Sequence, residues 1–209
     1  MEKLFLLRKS NAKDVAMVPP ISHSVVNQDD QLATVTTYQG AISLRIHAIG
    51  FIELSVIGIR AAMEHKTAID SITPSIIYAI RHGTELFLKY VIVDLANKHD
   101  GRQISMQTPS GHSLLPRFID ARDKIAFDLD SEATHGEHSN FNRHEWLSHF
   151  EEIVRTLNDV DPDGQTLRYP ANKKGDPNLG GTLTLSLLQV ETFAISVGEC
   201  FSRYAERCC

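Results

Sequence analysis

Cysteine is scarce in this chain. Its three cysteines, Cys200, Cys208 and Cys209, all lie near the C-terminal end of 209 residues. No framework of bridges can be built from them, which suits a reducing compartment and reads the terminal pair as free thiols. Long apolar runs are missing as well. MEKLFLLRKS holds a four-residue apolar stretch, too short for a signal-peptide core. The longest apolar segment, residues 41–63, is broken by Arg45, His47, Glu53 and Arg60, so no membrane span is expected. Positive charge is not in excess. A net charge of −5 argues against a broadly basic nucleic-acid surface but leaves room for a local site. There is no phosphate-cradling glycine-rich loop, no nucleophile motif, no lipidation box and no internal repeat, and no cofactor is expected. His135-Gly-Glu-His138 holds two histidines and a glutamate in a loop. With no cysteine nearby and no second paired motif, it reads as a surface loop, and no metal site is expected.

What is present is an ordinary globular composition, 42% hydrophobic and 22% charged, enough for one domain with an appendage. Residues 1–40 differ from the rest. LFLL and QLATVTTYQ are short and rich in strand formers, and VPPISHSVVNQDDQ between them is loop-like. A small β-ribbon or an extended arm is expected there, which could equally pack against a second copy of the chain.

Residues 41–209 read as an all-α bundle. Residues 41–66 are apolar nearly all round, which places them at the centre of a bundle or in an interface. Gly50 and Gly58 would allow close helix packing, and Glu53 would need a partner if buried. Residues 73–99 form a second long helix, with Thr73 as its cap and Pro74 at its first position. Further helices are expected over 113–127, over HEWLSHFEEIVRTLNDV and over 182–206, with a polar loop at 129–142 and an irregular stretch from 161 to 181. Trp146, Leu147, Phe150, Ile153, Val154 and Leu157 share one helix face. In the last helix Leu183, Leu187, Val190, Ala194, Val197, Phe201 and Tyr204 recur at alternate spacings of four and three. That seam serves either packing inside the domain or a dimer.

The second helix mixes apolar residues with Arg81, His82, Glu85 and Lys89. At about 100° per residue these four fall within roughly 100° of one another. Arg81–Glu85 and Glu85–Lys89 are both i, i+4 pairs. They form either a solvated stripe or a partly buried polar network, and the second needs partners elsewhere in the chain.

A helix carrying RHGTELFLK, then GHSL from Gly111 to Leu114, then DPDGQTLRYP from Asp161 to Pro170, occur in that order. Together they resemble the HEPN superfamily (higher eukaryotes and prokaryotes nucleotide-binding domain), in particular a bacterial branch with a Glu-Leu-x-Leu-Lys helix, a Gly-His-x-Leu step and an Arg-Tyr-Pro loop. The similarity covers roughly residues 40–206. The resemblance implies an up-and-down helical bundle that often dimerises, and a role in RNA or nucleotide biology of a stress, toxin or defence kind. It also makes Glu85, Lys89, His112, Arg168 and Tyr169 mutual partners, with Arg168 locking its loop onto Glu85 by a charge-assisted bond.

Many HEPN proteins are metal-independent ribonucleases with the spacing R-x(4–6)-H, in which the histidine moves a proton and the arginine steadies the phosphate. Two stretches fit. Arg143 to His149 has His144 directly after the arginine and opens a helix beside a polar loop; Arg60 to His65 has an apolar residue in that place. The first is preferred, with Arg143, His144 and His149 as the catalytic set. Six positions on a helix leave Arg143 and His149 about 120° apart, so they converge only at a frayed end or across two subunits. The expectation is a cytoplasmic homodimer that is either such a nuclease or a non-catalytic module for RNA, a nucleotide or a partner protein.

Overall fold

The computed structural model describes residues 40–100, 112–133, 142–169, 171–172, 174–178 and 184–206. The chain divides between residues 36 and 37 into two units, and every described residue belongs to the second. The β-ribbon or arm expected over 1–40, the histidines at 135 and 138 and the two terminal cysteines lie outside the described residues. Among the described residues five helices follow in order: α1 (Ala41–Met63), α2 (Ile69–Asp100), α3 (Leu114–Ala133), α4 (Arg143–Val160) and α5 (Leu187–Glu206). Apart from an isolated antiparallel bridge between Ala171 and Pro177, the described residues contain no strand. The described unit is an all-α bundle in which each helix packs on its sequence neighbours, and α5 closes back onto α1 and α2.

Helix α2, with 32 residues, is the longest of these, about 48 Å at 1.5 Å per residue. It starts before Thr73, which is therefore not its cap. Ala68 O accepts the backbone N–H groups of Ser71 and Ile72, so the first turn forms earlier. The Thr73 hydroxyl donates to Ile69 O at 2.7 Å, and Pro74 sits inside the helix near its start, where only one backbone bond is forfeited. Helix α3 runs to Ala133, past the expected loop boundary at 129. Helix α4 is capped by Asn142, whose side chain accepts the Glu145 N–H at 3.1 Å. Helix α5 begins at Leu187, five residues later than expected.

Helix α1 does not occupy the centre. Only the face of Ala48, Ile52, Ser55, Ile59 and Ala62 is buried, against α2 and α5, while Ile42, Ile46, Leu54 and Ile57 are exposed. Glu53 is exposed and needs no buried partner. By length and composition alone α1 could also cross a membrane. Its contact with α2 is close because Gly83 has no side chain: a Cβ there would stand 3.0 Å from Ala48 O. Gly58 likewise faces Ile76 at 3.3 Å, whereas Gly50 has nothing within 4 Å and takes no part in packing.

The core centres on aromatic rings contributed by α2, α3, α4 and α5. Phe87 stacks on Phe201 at 3.9 Å between centroids, and Phe150 meets Phe87 and Phe118 edge-on at 5.8 and 5.7 Å. Each ring excludes water for roughly 1.5–3 kcal/mol. The Trp146 indole is buried without an orphaned N–H, since Nε1 donates to Cys200 O at 2.8 Å. Burial pushes the Cys200 thiol up to about 12, so it stays protonated and inert. The six apolar residues expected on one face of α4 are all buried. The α5 seam turns inward too: Ala194, Val197, Phe201 and Tyr204 are buried within the chain and are not free to form a dimer seam.

Candidate functional site

Arg81 is the most constrained polar side chain of the site. Three residues on from Tyr78 in α2, it points into the bundle and is 1% exposed. Its guanidinium is shared three ways. Nε donates to Asp161 O at 2.7 Å, Nη1 to Glu85 Oε2 at 3.2 Å, and Nη2 to His112 O. One side chain of α2 thus ties down the residue directly after α4 and a residue two positions before α3.

Glu85, fully buried one turn later, collects cations. Lys89 Nζ donates to Oε1 at 2.7 Å, His112 Nδ1 lies 3.2 Å from the same oxygen, and Arg117 Nη1 stands 3.6 Å away. Burial alone would raise this carboxyl. The Lys89 hydrogen bond and the charges of Lys89, His112 and Arg81 outweigh it and hold the group below the usual carboxylate value. With Nδ1 turned to Glu85, the His112 ring directs Nε2 away from the carboxylate, and the side chain is 47% exposed.

The segment after α4 seals the network. Asp161 is buried, and its carboxylate accepts Thr166 N–H at 3.0 Å while Oδ2 lies 3.7 Å from Arg81 Nε. Gly164 adopts φ +74° and lies flat on the cluster. A Cβ there would meet Arg81 Nη1 at 2.7 Å and His112 Cβ at 3.2 Å. Asn178 anchors the same loop, donating through Nδ2 to Tyr169 O at 2.8 Å and to Gln165 O at 3.2 Å.

The loop delivers Arg168 and Tyr169 to the surface. No ion pair joins Arg168 to Glu85, contrary to expectation; Arg81, Lys89 and His112 already occupy that carboxylate. The Arg168 guanidinium lies instead 5.1 Å from the Tyr169 ring centroid and 5.8 Å from that of Tyr78. Tyr78 stacks nearly parallel on His82 at 5.6 Å, and Phe51 meets His82 edge-on at 4.8 Å. Burial lowers the His82 pKa; Glu85 opposes this, while the charges of Lys89, His112 and Arg168 reinforce it. His82 is therefore a neutral ring among cations.

The expected catalytic set is placed differently. Arg143 is the first residue of α4, and its side chain is outside the described part; His144 is exposed. His149 is half-buried, with Nε2 2.9 Å from Ser196 Oγ on α5. It sits in a groove between α4 and α5 that Glu145, Glu152, Glu199 and Arg203 also line. The other candidate pair serves the fold. Arg60 Nε donates to Glu191 at 2.6 Å, and His65, at φ 56°, closes α1 with its N–H on Ala62 O and the Lys66 N–H on Ala61 O. Among the described residues no group of three or more His, Cys, Asp or Glu could hold a metal ion.

Of the five expected binding residues, Glu85, Lys89 and His112 meet directly, and Arg168 and Tyr169 lie on the adjoining rim. Sequence reasoning did not single out Arg117, Asp161, Gly164, Asn178 or Tyr78. Asp161 and Gly164 lie inside the DPDG stretch, whose turn signal was visible but whose docking point was not. Compared with known proteins, the chain matches no family model, no curated protein and no solved structure.

Proposed function

We propose that this chain is a HEPN-like up-and-down bundle acting in RNA or nucleotide biology of a stress, toxin or defence kind, as a cytoplasmic homodimer. The form of that role which the geometry favours is a binding module. One observation carries the reading. The three stretches behind the resemblance, far apart in sequence, meet in one network: Arg81 and Lys89 from the helix and His112 from the GHSL step gather on the Glu85 carboxylate, and Asp161 with Gly164, from the loop that ends in Leu-Arg-Tyr-Pro, close on Arg81. A network that fixes a loop so firmly presents Arg168 and Tyr169 in a set geometry, which is what recognition needs.

A second reading is a metal-independent ribonuclease at Arg143, His144 and His149. It is favoured by the His149 imidazole standing at an open groove, in hydrogen-bond contact with a hydroxyl. Against it, Glu145, Glu152 and Glu199 line the same groove and would repel a phosphate. The test is a labelled RNA pool with chelator present, mixed with the full chain or with His149→Ala at matched folding, scored for both retention and cleavage. The binding module retains RNA or a nucleotide and leaves it intact in both proteins. Cleavage that disappears in His149→Ala selects the nuclease. Neither retention nor cleavage up to high protein concentration rejects both.

A further inference from the structure

Helices α4 and α5 run antiparallel, and a groove follows the line between them. At one end Leu157, Val160, Leu185 and Phe193 wall it over Ile77 and Ile80 of α2, and this space of about 280 Å³ is lined almost wholly by apolar surface. Thr156, Gln189 and Phe193 carry it into a middle stretch of about 440 Å³, whose lining includes Leu188, 66% exposed. That stretch ends at His149, Glu152 and Ser196, which open in turn onto Glu145, Glu199 and Arg203.

The two ends differ in charge. Among the described residues Glu145, Glu152 and Glu199 form no ion pair, and neither does Arg203. Other acids of the same two helices are paired, Glu151 with Arg155 and Glu191 with Arg60. The far end is therefore lined by three carboxylates against one guanidinium, while the near end is apolar. Carboxylates that repel a phosphate draw a cation by the same Coulomb term.

The shape of the groove selects the kind of occupant. Its lining residues recur in steps of three and four on both walls: Glu145, His149, Glu152, Thr156 and Val160 on α4, and Gln189, Thr192, Ser196, Glu199 and Arg203 on α5. Two such rows side by side make the furrow into which the side-chain ridge of a third helix fits. From Glu145 to Val160 the lined wall is roughly 22 Å long, or about four turns of a helix laid along it. A helix in such a groove buries an apolar stripe, and its charged residues choose the end at which they sit.

We propose that the α4–α5 groove docks an amphipathic helix of a partner protein, about four turns long, which lays its apolar stripe over the Leu157, Leu188 and Phe193 end and sets lysines or arginines against Glu145, Glu152 and Glu199. The groove shares no residue with the Arg81–Glu85 network or the Arg168 loop, so this docking is independent of the RNA and nucleotide reading.

The experiment selects displayed random peptides of fifteen residues on the full chain. The enriched peptides are then synthesised, and their affinities are measured for the parent, for Leu188→Asp, for the double variant Glu152→Lys with Glu199→Lys, and for Ile119→Asp. Ile119 is an exposed apolar residue of α3 away from the groove, and all four changed side chains are exposed, so thermal melts should show every variant folded. The enriched peptides are expected to carry apolar residues at helical spacing with basic residues beyond one end, and to gain helical circular dichroism on binding. Leu188→Asp and the double variant should each lose about tenfold or more in affinity, the usual effect of removing an anchor contact, and Ile119→Asp should lose none. Binding should also weaken as salt is raised. Enrichment of acidic peptides, affinities that neither groove variant changes, or no enrichment at all would overturn the proposal. A chain that sediments as a dimer and separates in Leu188→Asp would overturn it too, because the groove would then hold a second copy.

Discussion

Gly164 rests its α-carbon directly on the guanidinium of Arg81, so close that a Cβ would come within 2.7 Å of Nη1. Arginine ends usually move aside, but this one is held by Asp161, Glu85 and His112. The backbone adds its own constraint, since φ +74° is a region that L side chains rarely adopt. Gly164→Ala should therefore cost about 1–3 kcal/mol. A denaturant midpoint equal to the parent's would show the loop is not seated on Arg81.

The two arginines of the site should behave oppositely. Arg81→Met leaves Glu85 short of a partner and takes the donor from the buried Asp161 carbonyl and the part-buried His112 carbonyl, at a cost of about 3–5 kcal/mol. Arg168→Ala removes surface contacts with the Tyr169 and Tyr78 rings and should cost less than about 1 kcal/mol. Thermal melts of the two variants side by side check the ordering; a larger loss in Arg168→Ala would reverse the assignment of structural and surface roles.

Glycines in α1 and α2 give a second contrast. Gly50→Ala adds a methyl that meets nothing within 4 Å, and should stabilise the helix by about 0.5–1 kcal/mol. Gly83→Ala drives a methyl to 3.0 Å from Ala48 O and should destabilise, because backbone rather than a mobile side-chain end must yield. Chemical denaturation of both variants gives the signs directly.

Acid should weaken the fold through His82 before it does so through Glu85. The His82 pKa is lowered in the folded chain, first by burial. Its stabilising contribution is complete above the unfolded value near 6.5 and is lost as pH falls through the lower folded value, since the unfolded chain then binds the proton more readily. Glu85 follows at more acidic pH, as its own lowered value is crossed. His82→Phe should flatten the fall in melting temperature between pH 8 and pH 5; an identical slope would place the titration elsewhere.

Much of this was legible in the chain. The α4 face and the inward part of the α5 seam follow from periodicity, because both helices have one apolar side to hide. The Arg81–Glu85–Lys89 ladder was visible as i, i+4 spacing, and His112 was placed with it through the family resemblance. Less legible was which arginine meets Glu85. Arg168 stands near a conspicuous Tyr-Pro step, but Arg81 is already on the same helix as Glu85 and reaches it without closing a loop. Helix α1 was legible only as far as a choice between the centre of a bundle and an interface: its sequence is apolar on every side, α2 and α5 cover one face, and Ile42, Leu54 and Ile57 stay outside, which removes the central placement. The groove partner of His149 could not be read at all, since Ser196 lies 47 positions away on an ordinary helical step.

The reach of Arg81 also sets an order of events during synthesis. Its bonds run to a residue 31 positions later and to another 80 positions later. A nascent chain that has released α2 but not yet Asp161 cannot bury this guanidinium without leaving it short of acceptors, so the α2 surface stays wet until α4 and the following turn emerge. Any fragment ending before residue 161 should therefore remain loosely collapsed and exposed to proteases.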